Sequence, residues 1–512
     1  MQQEQGRGAG FNAAWNIIGG LAPAILAVVL PPILTRSLSP DSFGLWVIVL
    51  QVTAIAAAFG TVAQISVARH VASANARGDG GDRDEYVSTA LVLAGLGGAL
   101  LIALMAIAGL NIARLLPQVP SSLQQMGGLA LLTISAGASL TMPGGVITGQ
   151  FMGEQRSHVP NAIVFVGRLA QGALIVIAAV ATSNLMAVAL AHMTGNLLIF
   201  GAQVTAQNRL SSHVVVRRSL ASRLVARRIW TFSATLLLWQ VAALVINGVD
   251  LVVLGRIDFP TVPFFAVAAT ASAIFAGVVG SIYNAFLPVA SRIHVSGNGK
   301  AMETFLHEGL RLGATFTLMV AIPLILCNEP ILRMWVGHEY AARSSLVMSI
   351  LMVAFLVRTS VMMYVICSVA SDTHGKGWPG PVLEAIANLA LSIGLGIWLG
   401  ATGVALGTLA SAGIGVAAWL ALDPLKSVTG ARAGWRVFVR ALMRPALMLM
   451  PIGLLGMLVP SAVRATWESL ALVIILTGGV GWFATLTRKD RVAMASWLGL
   501  RLAHLSRRGS PS

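Results

Sequence analysis

Apolar residues in this chain come in runs of about 20, enough for a helix rising about 1.5 Å per residue to cross a hydrocarbon layer of about 30 Å. The runs lack the strict alternation of a transmembrane β-strand, which excludes a barrel. In lipid a helix is then the structure whose backbone groups satisfy one another. The pattern predicts fourteen membrane-spanning helices, near 11–35, 43–68, 86–112, 125–149, 161–181, 185–207, 231–254, 262–289, 306–327, 345–370, 380–400, 402–422, 441–459 and 469–487. The expected fold class is all-α, a polytopic membrane bundle. Two polar stretches stand out between the runs, an arginine-rich segment at 209–230 and a basic tail from Arg488 to Arg508.

Composition agrees with the pattern. Of 512 residues 56% are hydrophobic and 10% charged, against about 25% charged in a soluble domain. A soluble core could not hide that much apolar surface, so lipid must cover it. A net charge of +16 would suggest nucleic acid in a soluble protein. Here the basic residues sit in loops, so the expected partners are membrane lipids and no nucleic acid. An even number of spans places both termini on one side. Loops and tails on that side carry 25 of the 34 Lys and Arg residues. The opposite side carries Arg36, Arg114, Arg256, Arg333, Arg343 and Arg464, and Arg168, Arg311 and Arg358 lie inside spans. The positive-inside rule then places both termini in the cytoplasm. Cys327 and Cys367 both fall in apolar runs and read as packing residues without a disulfide. The polar segment Met1 to Gly10 leads into an apolar run too long for a signal-peptide core, so no cleavable leader is expected.

The pattern also repeats. Arg36-x-x-x-Pro40 follows the first span and Arg256-x-x-x-Pro260 the seventh, 220 residues later. Val67-Ala68-Arg69-His70-Val71 closes the second span, and Val289-Ala290-Ser291-Arg292-Ile293-His294-Val295 closes the eighth. Arg168-Leu169-Ala170 aligns with Asn388-Leu389-Ala390, and Ala181-Thr182 with Ala401-Thr402, both again at 220. Four matches near one offset predict two homologous six-helix lobes in the same orientation. In such parallel repeats the lobe interface is the usual transport site. The expected organisation is an N-lobe at 1–207, a linker at 208–230, a C-lobe at 231–422, two further spans at 423–487 and a basic tail at 488–512. Interleaved arginines and aliphatics make 209–230 a candidate amphipathic helix on the membrane surface, and the tail a second one.

The stretch Leu34-Thr35-Arg36-Ser37-Leu38-Ser39-Pro40-Asp41-Ser42-Phe43-Gly44-Leu45-Trp46 resembles the first loop of the polysaccharide transporter family, the Wzx-type O-antigen and exopolysaccharide flippases. These belong to the multidrug/oligosaccharidyl-lipid/polysaccharide (MOP) superfamily. Asn247-Gly248-Val249-Asp250-Leu251-Val252-Val253-Leu254-Gly255 and Asn284-Ala285-Phe286-Leu287-Pro288-Val289-Ala290-Ser291-Arg292 carry the likeness into the second half. The resemblance implies two pseudo-symmetric six-helix lobes in the V shape of MATE transporters around a central cavity, plus two C-terminal helices. It also implies a cargo, a lipid-linked oligosaccharide of the undecaprenyl-pyrophosphate type. A polysaccharide polymerase and other assembly proteins are the further partners it implies.

Such a cargo is anionic, and arginine suits it, because a guanidinium binds phosphate oxygens bidentately and stays charged when buried. Arg358 lies near the middle of span 10 and Arg168 some seven residues into span 5. Both are candidate substrate contacts or members of buried ion pairs. Arg311 is shallow in span 9 and is a further candidate substrate contact, or a residue that reaches the surface. Arg36, Arg69, Arg256 and Arg292 end the repeated hairpins, as entry points or as interfacial anchors. Glu384 and Asn388 share one face of span 11. By resemblance to flippases of peptidoglycan precursors, Glu384, Asn388 and Asp250 are candidate cation ligands. The residues also allow a plainer reading, with Asp250 paired to Arg256 and Glu384 to Arg311 or Arg358. Two ligands are too few for sodium, so backbone carbonyls of a broken helix would have to complete the shell.

His192 reads as a packed, neutral histidine, with a proton relay as the alternative. No phosphate-binding glycine loop, metal-spaced cluster or nucleophile motif appears, so the chain reads as a non-enzyme without cofactor, its only small ion a coupling Na+ or H+. Two alternatives compete with the flippase. A cation-coupled multidrug exporter of the same superfamily would have twelve spans and intramembrane acids where this chain has arginines. A non-transporting scaffold of a polysaccharide assembly complex would move no lipid at all.

The charge asymmetry makes a direct prediction. Reporter fusions at Gly78, Ser219 and Gly430 are expected to report cytoplasm and a fusion at Gly337 periplasm. A cytoplasmic signal at Gly337 overturns both the topology and the repeat.

Overall fold

The computed structural model describes residues 21–211, 213–429 and 434–492. The polar N-terminus, the start of the first expected span, Gly430, Arg432 and the tail beyond Val492 lie outside the described residues. Among those described there is no strand.

Among the described residues twelve helices are long and apolar enough to cross a membrane. In chain order the first six spans are α1 (Leu21–Ser37, shorter than those twelve), α2 (Pro40–Arg77), α3 (Gly80–Leu110), α4 (Ser121–Gly153), α5 (His158–Thr182) and α6 (Leu185–Leu210). They are followed by α7 (Arg223–Ile257), α8 (Phe259–Val295), α9 (Gly299–Leu326) and α10 (His338–Ala370). The helical stretch Pro379–Leu422 is two helices, because Gly400 has φ 58° and ψ −137°. Its halves are α11 (379–399) and α12 (401–422). Ser392 Oγ reaches the carbonyl of Val404 at 3.4 Å, so the halves fold back on each other. After α13 (Gly434–Met457) and α14 (Trp467–Thr485) the spans number about fourteen, as expected. The chain is a multi-pass α-helical membrane protein.

Local chemistry sets the boundaries. Ser39 caps α2 by accepting from Ser42 N–H, and Pro40 follows at the first turn, where a missing N–H costs nothing. Gly78 ends α2 in the left-handed region at φ 70°, and Asp79 then caps α3 by accepting from Asp82 N–H at 3.0 Å. The same device recurs in the second half. Gly297 has φ 67°, and Asn298 caps α9 through Ala301 N–H at 3.0 Å. Other left-handed turns keep nearly the same spacing: Gln155 with Asp372, and Ser183 with Gly400. The turn pattern is therefore duplicated with the sequence.

Besides α8, which breaks at Ala285–Phe286, two spans are interrupted at corresponding places, α4 at Leu140 and α10 at Ser360–Val361. Their causes differ. Pro143 has no N–H to offer the carbonyl of Ser139, which opens the ladder of α4. In α10 the hydroxyls of Thr359 and Ser360 bond back to the carbonyls of Phe355, Leu356 and Val357, a competition that bends helices.

The segment 209–230 is not one separate helix, since its last eight residues already belong to α7. Leu210 ends α6, Arg218–Leu220 is a single 3₁₀ turn, and α7 begins at Arg223. The intervening backbone finds side-chain partners on α3 instead. Arg83 Nη2 donates to the carbonyl of His213 at 2.9 Å, Arg217 N–H to Ser88 Oγ at 3.1 Å, and Ser222 N–H to Thr89 Oγ1 at 3.1 Å. Those bonds replace the ones a helix would have supplied.

Packing divides the chain into two compact units, one running to Thr270 and including Ala385–Gly407, the other holding Ala271–Glu384 and the chain from Thr408 on. In the first unit α2 lies directly on α4. A Cβ on Gly145 would strike the carbonyl of Gly60, and one on Gly149 the carbonyl of Gln64. Small residues four apart let the two backbones meet, as membrane helices require when no hydrophobic effect drives them together. In the second unit α9 packs against α13 and α14 through Leu318, Ile322, Leu326, Leu449 and Leu470.

Gly145→Ala is expected to destabilise the protein by more than the roughly 1–3 kcal/mol of ordinary overpacking, because the neighbour is backbone and cannot turn away. Gly413→Ala is the control, since its Cβ would meet nothing within 4 Å. Melting temperatures in detergent check this; equal values for the two variants refute the close α2–α4 contact.

Candidate functional site

The three intramembrane arginines are held in three different ways. Arg168 on α5 lies in the first unit, where α5 packs against α6. Its Nη1 donates to Gln171 Oε1 at 2.7 Å and is 3.4 Å from Asn196 Oδ1. Both amides are oriented by their other ends: Gln171 Nε2 donates to the carbonyl of His192 at 2.7 Å, and Asn196 Nδ2 to the same carbonyl at 3.2 Å. Their oxygens therefore face the guanidinium. His192 packs edge-on against Trp46, with ring centroids 5.8 Å apart, and so serves as a positioning residue of this cluster. Among the described residues the hydrogen-bond partners of Arg168 are neutral, so its charge is held without being cancelled.

Arg168 opens onto a cavity of about 280 Å³ within this unit. Gln64, Thr141, Thr148, Asn196 and Gln203 supply its polar wall, and the interruption of α4 at Leu140 borders it. Gln203 Nε2 donates to Thr148 Oγ1 at 3.2 Å, fixing one side. The cavity joins a cation, amides and hydroxyls, a set that suits an oxyanion and the hydroxyls of a sugar.

Arg358 on α10 belongs to the second unit, two residues before the interruption. Its Nε donates to Glu384 Oε1 at 2.7 Å. Its Nη2 is buried and has no hydrogen-bond partner among the described residues. The carboxylate thus holds the arginine by one edge and leaves part of the fork unused. Glu384 is buried against Gly415, where a Cβ would strike the carboxyl group.

Asn388 and Ser392 follow Glu384 on one face of α11 at four-residue steps. In the first unit Ser392 Oγ donates to Asp250 Oδ1 at 2.9 Å, both groups buried. Asp250 does not pair with Arg256, whose Nη1 instead donates to the carbonyls of Arg114 and Leu115 at 3.3 and 3.1 Å. Asn388 is fully buried.

Arg311 on α9 fastens the end of the last span. Its Nη2 meets Asp490 Oδ2 at 2.9 Å and its Nη1 the carbonyl of Thr485 at 3.2 Å. Arg36 and Arg292 are exposed at helix ends, whereas α2 continues two turns past the exposed Arg69 to Arg77. Arg69 lies over the ring of Phe232 at 5.1 Å. Sequence reasoning missed Gln171, Asn196 and Gln203 at the Arg168 site and Asp490 as the partner of Arg311. A signal for the first group existed, since Asn196, Gln203 and Gln207 recur on one helical face at steps of seven and four. Among the described residues no group of three or more His, Cys, Asp or Glu could hold a metal.

Comparison with known proteins adds the family. The model of the family described as polysaccharide biosynthesis protein matches residues 10–294. The chain resembles the structure of a lipid II flippase, MurJ, in an inward closed conformation, with TM-score 0.72, 15% identity, and 92% of this chain and 98% of that one covered. It also resembles an inward-facing multidrug resistance MATE transporter of the MOP superfamily, with TM-score 0.60, 14% identity and 83% and 98% covered. A eukaryotic MATE transporter follows with TM-score 0.55, 14% identity and 85% and 100% covered. No curated protein matches. At these identities the likeness is one of fold.

The Arg311 clasp predicts a pH dependence. Burial raises the Asp490 pKa, but hydrogen bonds from Thr487 and Arg311 outweigh it and hold the carboxyl below its ordinary value. A depressed carboxyl pKa contributes stability above the unfolded value, and that stability is lost as pH falls through the folded one. The wild-type protein should therefore melt higher than Asp490→Asn at pH 7, with the gap closing below about pH 4. A gap that does not change with pH would show that Asp490 acts without its charge.

Proposed function

We propose a function from one established premise: this chain belongs to the polysaccharide biosynthesis protein family. It moves a polyprenyl-pyrophosphate-linked oligosaccharide, of the undecaprenyl-pyrophosphate type, from one leaflet of the bacterial inner membrane to the other. The exported sugar feeds cell-surface polysaccharide such as O-antigen or exopolysaccharide. Movement is by alternating access of the two lobes.

The observation that carries this reading is the state of Arg168. A cation inside a span costs roughly 2.5–3.5 kcal/mol on insertion scales and needs a reason. Amide oxygens fix Arg168 beside a cavity that has polar groups on part of its wall, and leave its charge available to a ligand. A diphosphate supplies the opposite charge and the oxygens for the fork, while the neighbouring amides and hydroxyls can take sugar hydroxyls. The lipid tail need never leave the bilayer. Arg358 fits the same role at a second position, since Glu384 occupies its Nε and leaves Nη2 for an anion. An organic-cation exporter would need an open intramembrane carboxylate, whereas Glu384 bonds Arg358 and Asp250 is buried and accepts from Ser392.

Coupling to a Na+ or H+ gradient belongs to the same reading, with Glu384 and Asn388 as the ion's first candidates and Asp250 the weaker one. Cation binding at Glu384 competes with Arg358, so loading the ion and freeing the arginine are one event.

In proteoliposomes holding a labelled polyprenyl-pyrophosphate-linked sugar, Arg168→Ala should slow flipping at least about tenfold with protein abundance unchanged, and Arg168→Lys should fall between. Glu384→Gln should remove dependence on the ion gradient without removing all flipping. Wild-type rates in Arg168→Ala overturn the anion role. No flipping by the wild-type protein supports a scaffold instead.

A further inference from the structure

The end of α12 and the start of α13 enclose a second polar space that the transport reading does not use. It is a cleft of about 860 Å³ within the second unit, lined by Asp423, Lys426, Trp435, Arg436 and Arg440, and by Glu303 from α9. Lys426 belongs to a single turn, Lys426–Thr429. Arg436 and Arg440 are one turn apart on α13 and so lie on one face. Lys426, Arg436 and Arg440 are exposed, and among the described residues none has a carboxylate partner. Of the two acids, Asp423 already accepts the hydroxyl hydrogen bond of Tyr364. Glu303 remains in the same lining as the cations.

What lies beyond the arginines on the same helix decides what the cleft fits. The face that carries Arg436 and Arg440 continues through Met443, Leu447 and Leu454, at steps of three, four and seven. These are 54%, 64% and 65% exposed, an apolar stripe open to lipid. Trp435, 65% exposed, stands at the top of the stripe, where an indole anchors at the headgroup level. Cations above an apolar stripe match a phosphate with acyl chains beneath it, whereas a soluble phosphate would make no use of the stripe.

We propose that the cleft between α12 and α13 binds the phosphodiester headgroup of a membrane phospholipid, with Arg436, Arg440 and Lys426 on the phosphate and its acyl chains along Met443, Leu447 and Leu454. The two guanidinium forks bind the phosphate oxygens, and Glu303 accepts from a hydroxyl or ammonium group of the head. The lipid acts as a mortar between the end of α12 and the start of α13.

The test uses the full-length protein, delipidated in detergent. Its melting temperature is followed while dioleoyl-phosphatidylglycerol, dioleoyl-phosphatidylethanolamine, dioleoylglycerol or inorganic phosphate is added. Either phospholipid should raise it by several degrees, and dioleoylglycerol and inorganic phosphate should not. In Arg436→Gln/Arg440→Gln the phospholipid midpoint should weaken about thirtyfold. Lys426→Gln, on a separate element, should weaken it several-fold, which keeps the test open if the double variant does not fold. An equal response to dioleoylglycerol overturns the headgroup site, and an equal response to inorganic phosphate overturns its assignment to lipid. Unchanged midpoints in the variants overturn the residues named.

Discussion

A guanidinium inside the hydrocarbon layer must be met by hydrogen-bond acceptors within reach, and the polar interior of this protein is arranged around that requirement. Arg311 is met by a carboxylate and a carbonyl, which satisfy it and fasten the last span. Arg358 is met by a carboxylate on one edge. Arg168 is met by two amide oxygens, which position a cation without neutralising it. The same residue type at the same cost thus yields a clasp, a half-engaged pair and an available charge.

The second constraint is the backbone. Helices that cross lipid keep their ladders intact unless something else accepts the freed groups. In α4 and α10 the ladders open at Leu140 and Ser360–Val361, by a missing proline donor in one and by competing hydroxyls in the other. Each opening lies beside an arginine site in its own unit. The glycines of α4 let α2 approach closely just past the opening, so the cavity is bordered by backbone as well as by side chains. The cleft between α12 and α13 belongs to the surface instead, where charge meets headgroups and the cost of burial does not arise.

Much of this was legible in the residues. Hydropathy is a property of short windows, and each span must cross the same thickness of hydrocarbon, so run length alone gave the helices and about how many there are. Duplication preserved turn chemistry, so offsets near 220 in the sequence return as Gly78 and Gly297, each followed by a capping Asp or Asn. The arginines at risk were also visible, because any charge in a 20-residue apolar run is conspicuous.

Which partner each arginine takes was decided by the tertiary structure. Depth along a helix follows from counting, but the direction a side chain faces depends on how that helix is rotated against its neighbours. Asp250 and Arg256 are six residues apart on one helix, a spacing that turns them to different faces, and Asp250 faces Ser392 of α11. Glu384 had two arginines to choose from and took Arg358. The segment 209–230 has the composition of an amphipathic helix, but hydroxyls on α3 hold the N–H groups of Arg217 and Ser222, and helix resumes only at Arg223. Hydrophobic patterning is local and survives any arrangement of the helices, whereas a polar contact of about 3 Å exists only once helices distant in the chain are packed.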